Sequence, residues 1–460
     1  MLRSRVLTIL LLISWLFCGA ITELAGFFGF FQFWLCSLLL IPLLLLCKLV
    51  WQALLASLKF PRFEQVIFGI LCFVWLLHLL QVFVPETGFD AVWYHLPIAQ
   101  LLSEQQQLVY DPQLYQTANP LFADAIFALG FLALQSFGTK LVAYGFALSL
   151  AAVAYRLARV FLSRKWSLIG LSAISLFQVV SWQAASFYID IAKAFFDLAG
   201  LWILIETTFV AKKGYKQYKQ KYLLLAGLAF SASLASKEFS ILLLPFILFG
   251  FVSAARKTSV RFVPLLIMSL VALPLPFYLF AQQSTGYFFA GMVQHLKNLA
   301  TFTTVQTPLA FIWERVSALP KFFVALFFIR DYTSPLLGLL PVAVFLLRRQ
   351  MWQQKRLLLL LVFTINQLTI WWLVPPLSTR YALGGFISGL LIVLVWLARH
   401  KMWYLPALVL GITLVLLFPR LLVSIRSLNY LLGNQTQAQY VNQLTDENNR
   451  WVFEAWYQKQ

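Results

Sequence analysis

Leu38-Leu39-Leu40-Ile41-Pro42-Leu43-Leu44-Leu45-Leu46 runs without a polar side chain, and Leu357-Leu358-Leu359-Leu360-Leu361-Val362-Phe363 repeats the pattern towards the other end of the chain. Continuous runs of this kind make a helix apolar on every face. A strand of a membrane barrel would alternate apolar and polar positions, so the barrel reading falls. Stretches of about 20 apolar residues, the length that crosses a bilayer as a helix, recur throughout the sequence. Of the 460 residues, 61% are hydrophobic and 11% charged, whereas a water-soluble domain carries about 25% charged residues. The expectation is an all-α protein, a polytopic transmembrane helical bundle of about thirteen helices.

The spans read as 6–22, 28–47, 66–84, 141–161, 166–184, 189–210, 222–236, 239–255, 262–281, 334–347, 357–375, 382–398 and 402–418. Between them the basic residues fall into short clusters. These are Lys48, Lys59 and Arg62; Arg156, Arg159, Arg164 and Lys165; Lys212, Lys213, Lys216, Lys219 and Lys221; Arg256, Lys257 and Arg261; Arg348, Arg349, Lys355 and Arg356; and Arg399 with Lys401. With Arg3 and Arg5 at the start, all of them land on one side of the membrane when the spans alternate. Excess Lys and Arg marks the cytoplasmic side, which places the N-terminus inside. Of the acids, Glu64 and Glu206 share that side. The net charge of +19 is thus a loop charge facing anionic lipid, not a nucleic-acid footprint. Arg3, Arg5 and the apolar run to Ala20 also fit a signal peptide, whose removal would leave this topology unchanged. Cys18, Cys36, Cys47 and Cys72 lie in or beside apolar runs without metal-ligand spacing.

Residues 1–419 therefore read as one transmembrane module and 420–460 as a short outer tail. Two outer segments are longer than turns. The first, 85–139, contains the stretch 120–137, apolar on one face and interrupted by Asp124, which reads as a helix lying in the interface. The second is 282–333.

Four constellations can carry chemistry. Asp90 and His95, beside Trp93 and Tyr94, follow the third span; they fit a sugar- or phosphate-binding mouth with Asp90 as general base, or a helix cap with a packed imidazole. Asp190, Lys193 and Asp197 lie on one helix face at i, i+3 and i+7. Ionisable groups inside a membrane face a cavity or one another, so this ladder is either functional or self-neutralising. Ser236-Lys237-Glu238 forms a turn between two short spans, where Lys237 reaches a lipid-borne phosphate or extends to water. Arg380 and Tyr381 follow Pro375-Pro376; the guanidinium fork matches a phosphate, and the pair also fits an interfacial anchor. A Walker A loop, a dinucleotide fingerprint, a His-Glu-x-x-His zinc site and a Gly-x-Ser-x-Gly elbow are all missing from the sequence.

In their order and sidedness these stretches resemble the GT-C membrane glycosyltransferases, nearest to bacterial relatives of the protein O-mannosyltransferases and of the lipid A aminoarabinose transferase. The resemblance is carried by Phe89-Asp90-Ala91-Val92-Trp93-Tyr94-His95-Leu96-Pro97, Asn119-Pro120-Leu121, Tyr188-Ile189-Asp190-Ile191-Ala192, Ser236-Lys237, Thr379-Arg380-Tyr381 and Tyr430-Leu431-Leu432-Gly433. It departs at Ala91, where an Asp-Glu pair is common in the family, and in the shortness of the outer tail.

The resemblance implies transfer of a sugar from a polyprenyl-phosphate-linked donor to a glycan, lipid or protein acceptor at the extracytoplasmic face. Asp90 would be the base, with inversion at the anomeric carbon, and Tyr94, His95, Asp190, Lys237, Arg380 and Tyr381 would bind substrate. It names no certain cofactor and leaves room for a divalent cation. The implied setting is a bacterial inner membrane, with membrane lipid as surroundings. Two other functions fit the residues: a secondary transporter or flippase relaying charge through Asp190, Lys193 and Asp197, and a noncatalytic subunit of a membrane assembly.

Overall fold

The computed structural model describes residues 2–210, 219–255, 262–294, 297, 308–320, 324, 333–374 and 378–458. Lys212, Lys213, Lys216, Arg256, Lys257, Arg261, Pro375 and Pro376 lie outside the described residues, as does much of the second outer segment.

The elements run α1 (Leu2–Phe28), α2 (Leu40–Ser57), α3 (Arg62–Leu80), α4 (Leu96–Gln105), α5 (Phe122–Phe161), α6 (Arg164–Ser175), α7 (Gln178–Gln183) and α8 (Asp190–Ile205). They continue with α9 (Lys219–Ser236), α10 (Leu244–Ala255), α11 (Val263–Val271), α12 (Pro274–Thr285), α13 (Pro308–Ser317), α14 (Leu340–Gln353), α15 (Lys355–Leu373) and α16 (Leu383–Leu397). The last are α17 (Leu405–Leu414), α18 (Leu417–Leu431), α19 (Gln437–Leu444) and α20 (Arg450–Tyr457). Extended pairing among the described residues is confined to an isolated bridge between Asp111 and Leu114.

The architecture is the expected polytopic helical bundle. Helix underlies each stretch read as a span, but seven helices among the described residues are long and apolar enough to cross a membrane, or eight with the bent pair α11–α12. The count of thirteen included shorter and broken helices. Pro274, which lacks a donor and clashes with the preceding turn, opens α12 at a 53° bend from α11. Phe177, extended at ψ 127°, separates α6 from α7. Broken helices are tolerated at membrane depth where protein surrounds the freed backbone groups.

The helix read over 120–137 is present; Phe122 through Phe131 are buried inside the protein, while Leu134 near its end is exposed. It ends at a sharp bend, with Gln135 at φ +54°. The chain folds back so tightly that a Cβ on Gly138 would lie 1.8 Å from the Gly130 carbonyl oxygen. A side chain cannot fit at that crossing.

Helix α8 is the axis of the bundle. All its residues from Asp190 to Ile205 are buried, with α5, α9, α15 and α16 packed around it. The outer helices α2 and α3 turn Leu44, Trp51, Val66 and Leu76 outward, as lipid contact requires. At the Glu206 end of α8 the basic clusters gather: Arg5 pairs with Glu206 at 3.2 Å, Arg164 pairs with Glu64, and Arg356 donates to the Val160 carbonyl. Both acids on the basic side are therefore neutralised locally. The Asp190 end lies about 24 Å away at 1.5 Å per residue.

Candidate active site

The site begins with the loop leaving α3. Glu86 is 1% exposed and acts as its peg. One carboxylate oxygen accepts from the backbone N–H of Thr87 (2.9 Å) and Gly88 (2.8 Å) and from the Ser186 hydroxyl (2.6 Å); the other accepts from the Phe187 N–H (3.0 Å). The loop is thereby sewn to the segment preceding α8. The contact is so close that a Cβ on Gly88 would lie 2.5 Å from both Ser186 Oγ and the Tyr188 ring. Tyr457 in α20 donates to the Glu86 carbonyl at 2.8 Å. The Asp90 N–H donates to the Tyr188 hydroxyl at 3.0 Å, after which Ala91–His95 forms a widened π turn. Such turns re-aim side chains and are frequent at functional sites.

The Asp90 side chain makes no cap hydrogen bond, which removes the helix-cap reading. Its Oδ2 meets an Arg380 guanidinium nitrogen at 2.6 Å and accepts from the Tyr94 hydroxyl at 3.4 Å. Arg380 is clasped between the Tyr188 and Tyr381 rings, 5.2 Å from each centroid. Its Nε has no hydrogen-bond partner, with Asp190 Oδ2 at 3.9 Å. Asp190 pairs through Oδ1 with Lys237, whose ammonium lies 4.6 Å from the Tyr381 ring centroid. Two carboxylates and two cations from four distant parts of the chain thus meet at one end of the bundle.

Asp90, Tyr94, His95, Lys237, Arg380 and Tyr381 line one cavity of about 200 Å³. Asp190, 1% exposed, stands behind it and holds both cations in place. His95 is buried and meets Asp124 at 2.5 Å; the acid that interrupts the apolar stretch 120–137 is the partner that orients the imidazole. The other intramembrane charges do not join the site. Lys193 and Asp197 pair at 2.7 Å, and Asp197 also accepts from Ser233 (2.6 Å) and Gln367 (3.0 Å). The expected three-residue ladder is split, its outer member turned to Lys237 and Arg380 and its inner two turned to each other.

Glu86, Tyr188 as a clasp and Glu238, whose carboxylate on the cavity wall accepts from the Gly291 N–H at 3.1 Å, were not picked out as site residues by sequence. A buried peg such as Glu86 is recognisable only from its donors, which come from residues far along the chain. No group of three His, Cys, Asp or Glu among the described residues has metal-binding geometry.

No family model and no curated protein matches the chain. Solved structures do. ArnT from Cupriavidus metallidurans, in a crystal structure bound to undecaprenyl phosphate, superposes with a TM-score of 0.54 at 13% identity over 85% of this chain and 69% of that one. The apo state of the same protein gives 0.52 at 13% identity, over 73% and 59%. At that identity the likeness is one of fold. It is the polytopic helical fold of that protein.

Proposed function

From a fold shared with GT-C membrane glycosyltransferases, we propose that this protein transfers a sugar from a polyprenyl-phosphate-linked donor to an acceptor hydroxyl at the extracytoplasmic face. The observation that carries this reading is the meeting of Asp90 with Arg380 at 2.6 Å on a cavity wall that also holds Lys237. A carboxylate and two cations are the groups that a displacement at a glycosyl phosphate needs.

In that reaction Asp90 takes the acceptor hydroxyl proton as the oxygen attacks the anomeric carbon. The bond from that carbon to the phosphate oxygen breaks, and its electron pair leaves with the polyprenyl phosphate. The extra negative charge on the leaving phosphate falls to Arg380 and Lys237, preorganised by Asp190. Donor phosphate draws Arg380 away from Asp90, so the pair seen here is the resting arrangement and substrate frees the base. Attack opposite to departure inverts the anomeric centre, the logic of single-displacement glycosidases. Tyr94 and His95 border the acceptor side, and Tyr381 fixes both cations. ArnT was crystallised with undecaprenyl phosphate; a lipid of that class is the donor carrier proposed here.

The sidedness rests on α8, with the basic clusters at its Glu206 end and the cavity at its Asp190 end. The transport reading loses support because Lys193 and Asp197 satisfy each other and line neither the Asp90 cavity nor the one beside Lys140.

The test is transfer of radiolabelled sugar from synthetic polyprenyl-phosphate donors in reconstituted bilayers, with mass spectrometry of lipid that copurifies. Label in a glycosidic bond and a bound polyprenyl phosphate are the expected results. Sugar crossing the bilayer with no bond formed would replace this reading with transport.

A further inference from the structure

On the far side of the Glu86 loop lies a second cavity, of about 280 Å³. Its wall holds Lys140, from the limb of α5 beyond the bend, and Arg420, from α18; they are 2% and 7% exposed. Neither has an acidic partner within ion-pair distance among the described residues. Lys140 Nζ donates to the Val84 carbonyl at 2.5 Å and to the Pro85 carbonyl at 3.4 Å. Arg420 donates from one terminal nitrogen to the Leu77 carbonyl at 3.0 Å, and its Nε has no partner. Glu86 is near enough to act on Lys140 through space, but its oxygens are taken by Thr87, Gly88, Ser186 and Phe187. The two cations also repel each other.

Buried like charges held only by carbonyl oxygens are costly, and a buried cation is ordinarily paired. The contrast with Arg380 and Lys237, each matched to a carboxylate, leaves this pair with capacity for an anion from outside. Tyr440 lines the same cavity; burial pushes its phenol above the usual value, so it keeps its proton as a donor. The same lining carries the apolar side chains of Val84, Leu416, Val423 and Leu444 beside the polar Gln81, Gln178 and Ser181.

We propose that this second cavity binds the phosphate group of an anionic amphiphile, with Lys140 and Arg420 as the phosphate ligands and the neighbouring Val84, Leu416, Val423 and Leu444 side chains against the adjoining hydrocarbon. The site is distinct from the Asp90 cavity and adjoins it through the Glu86 loop, because Lys140 grips the carbonyls of Val84 and Pro85 at the loop's start.

The test uses the full chain in phosphatidylcholine nanodiscs, with the thermal midpoint followed as phosphatidylglycerol is added in one arm and inorganic phosphate in the other, chloride matching the ionic strength. Phosphatidylglycerol is expected to raise the midpoint. Lys140→Met and Arg420→Gln each raise the half-saturating fraction about tenfold or more, the scale of one charge-assisted hydrogen bond. Should Lys140→Met fail to fold, Arg420→Lys keeps the charge, loses the fork and is expected to weaken the response. Equal responses in wild type and all cavity variants, no response in wild type, or a response reproduced by chloride would each overturn the site. A response to inorganic phosphate alone would overturn the amphiphile as its ligand.

Discussion

Two acid–cation clusters share helix α8, and they differ in what they leave unfinished. Deep in the bundle, Asp197 accepts from Lys193, Ser233 and Gln367, so both its oxygens are used within the protein. At the end of the helix, Asp90, Asp190, Lys237 and Arg380 border a cavity, with Lys237 14% and Arg380 16% exposed at the side chain. Charge inside a membrane is therefore not by itself a mark of chemistry. The inner cluster ties helices together, while the outer one can exchange a protein partner for a substrate.

The sharpest way to break that contrast is Asp90→Asn. It should lower transfer by about a thousandfold, the range of a lost general base, while expression and the thermal midpoint stay near wild type. Turnover within a few-fold of wild type would remove Asp90 from the base role. Next comes Arg380→Lys, which keeps the charge and loses the fork. A loss of about a hundredfold in kcat is expected if the guanidinium holds charge developing on the phosphate; a rise in KM alone would assign it to ground-state binding. Gly88→Ala pushes the loop off Ser186 and Tyr188 and should cost about tenfold by misplacing Asp90, with full sugar transfer arguing that the loop is slack.

The smallest effect on turnover is expected at the inner cluster. The double change Lys193→Met, Asp197→Leu removes both charges together and should leave transfer per folded molecule within about threefold. Asp197→Ala alone strands a buried ammonium, with an expected loss of roughly 3–5 kcal/mol of stability, read as a lower unfolding midpoint. If the double variant folds but does not transfer, the two clusters are not separable and the transport reading regains ground.

Much of the outer cluster could be read in the sequence because topology sorts residues by side. Asp90, Lys237 and Arg380 each follow or precede a span on the side opposite the basic clusters, so their meeting required only that the bundle close. What held Asp90 in place was not legible: Glu86 and Ser186 are far apart in the chain and carry no motif. Thirteen spans were read where seven or eight described helices have full crossing length. Hydropathy registers apolar length, whereas Phe177 and Pro274 break helices where neighbouring protein shelters the backbone. Asp124 looked like an interruption of an apolar face and is instead the buried partner of His95.

The enclosure of α8 also bears on how the protein is made. A segment carrying Asp190, Lys193 and Asp197 is a poor candidate to partition alone into hydrocarbon, and in the finished molecule it is shielded from lipid on every face. Its insertion must therefore be a shared event, delayed until Lys237, Arg380 and Gln367 have been synthesised and can approach, so that biogenesis proceeds by handing a charge-bearing helix from one protein shelter to another.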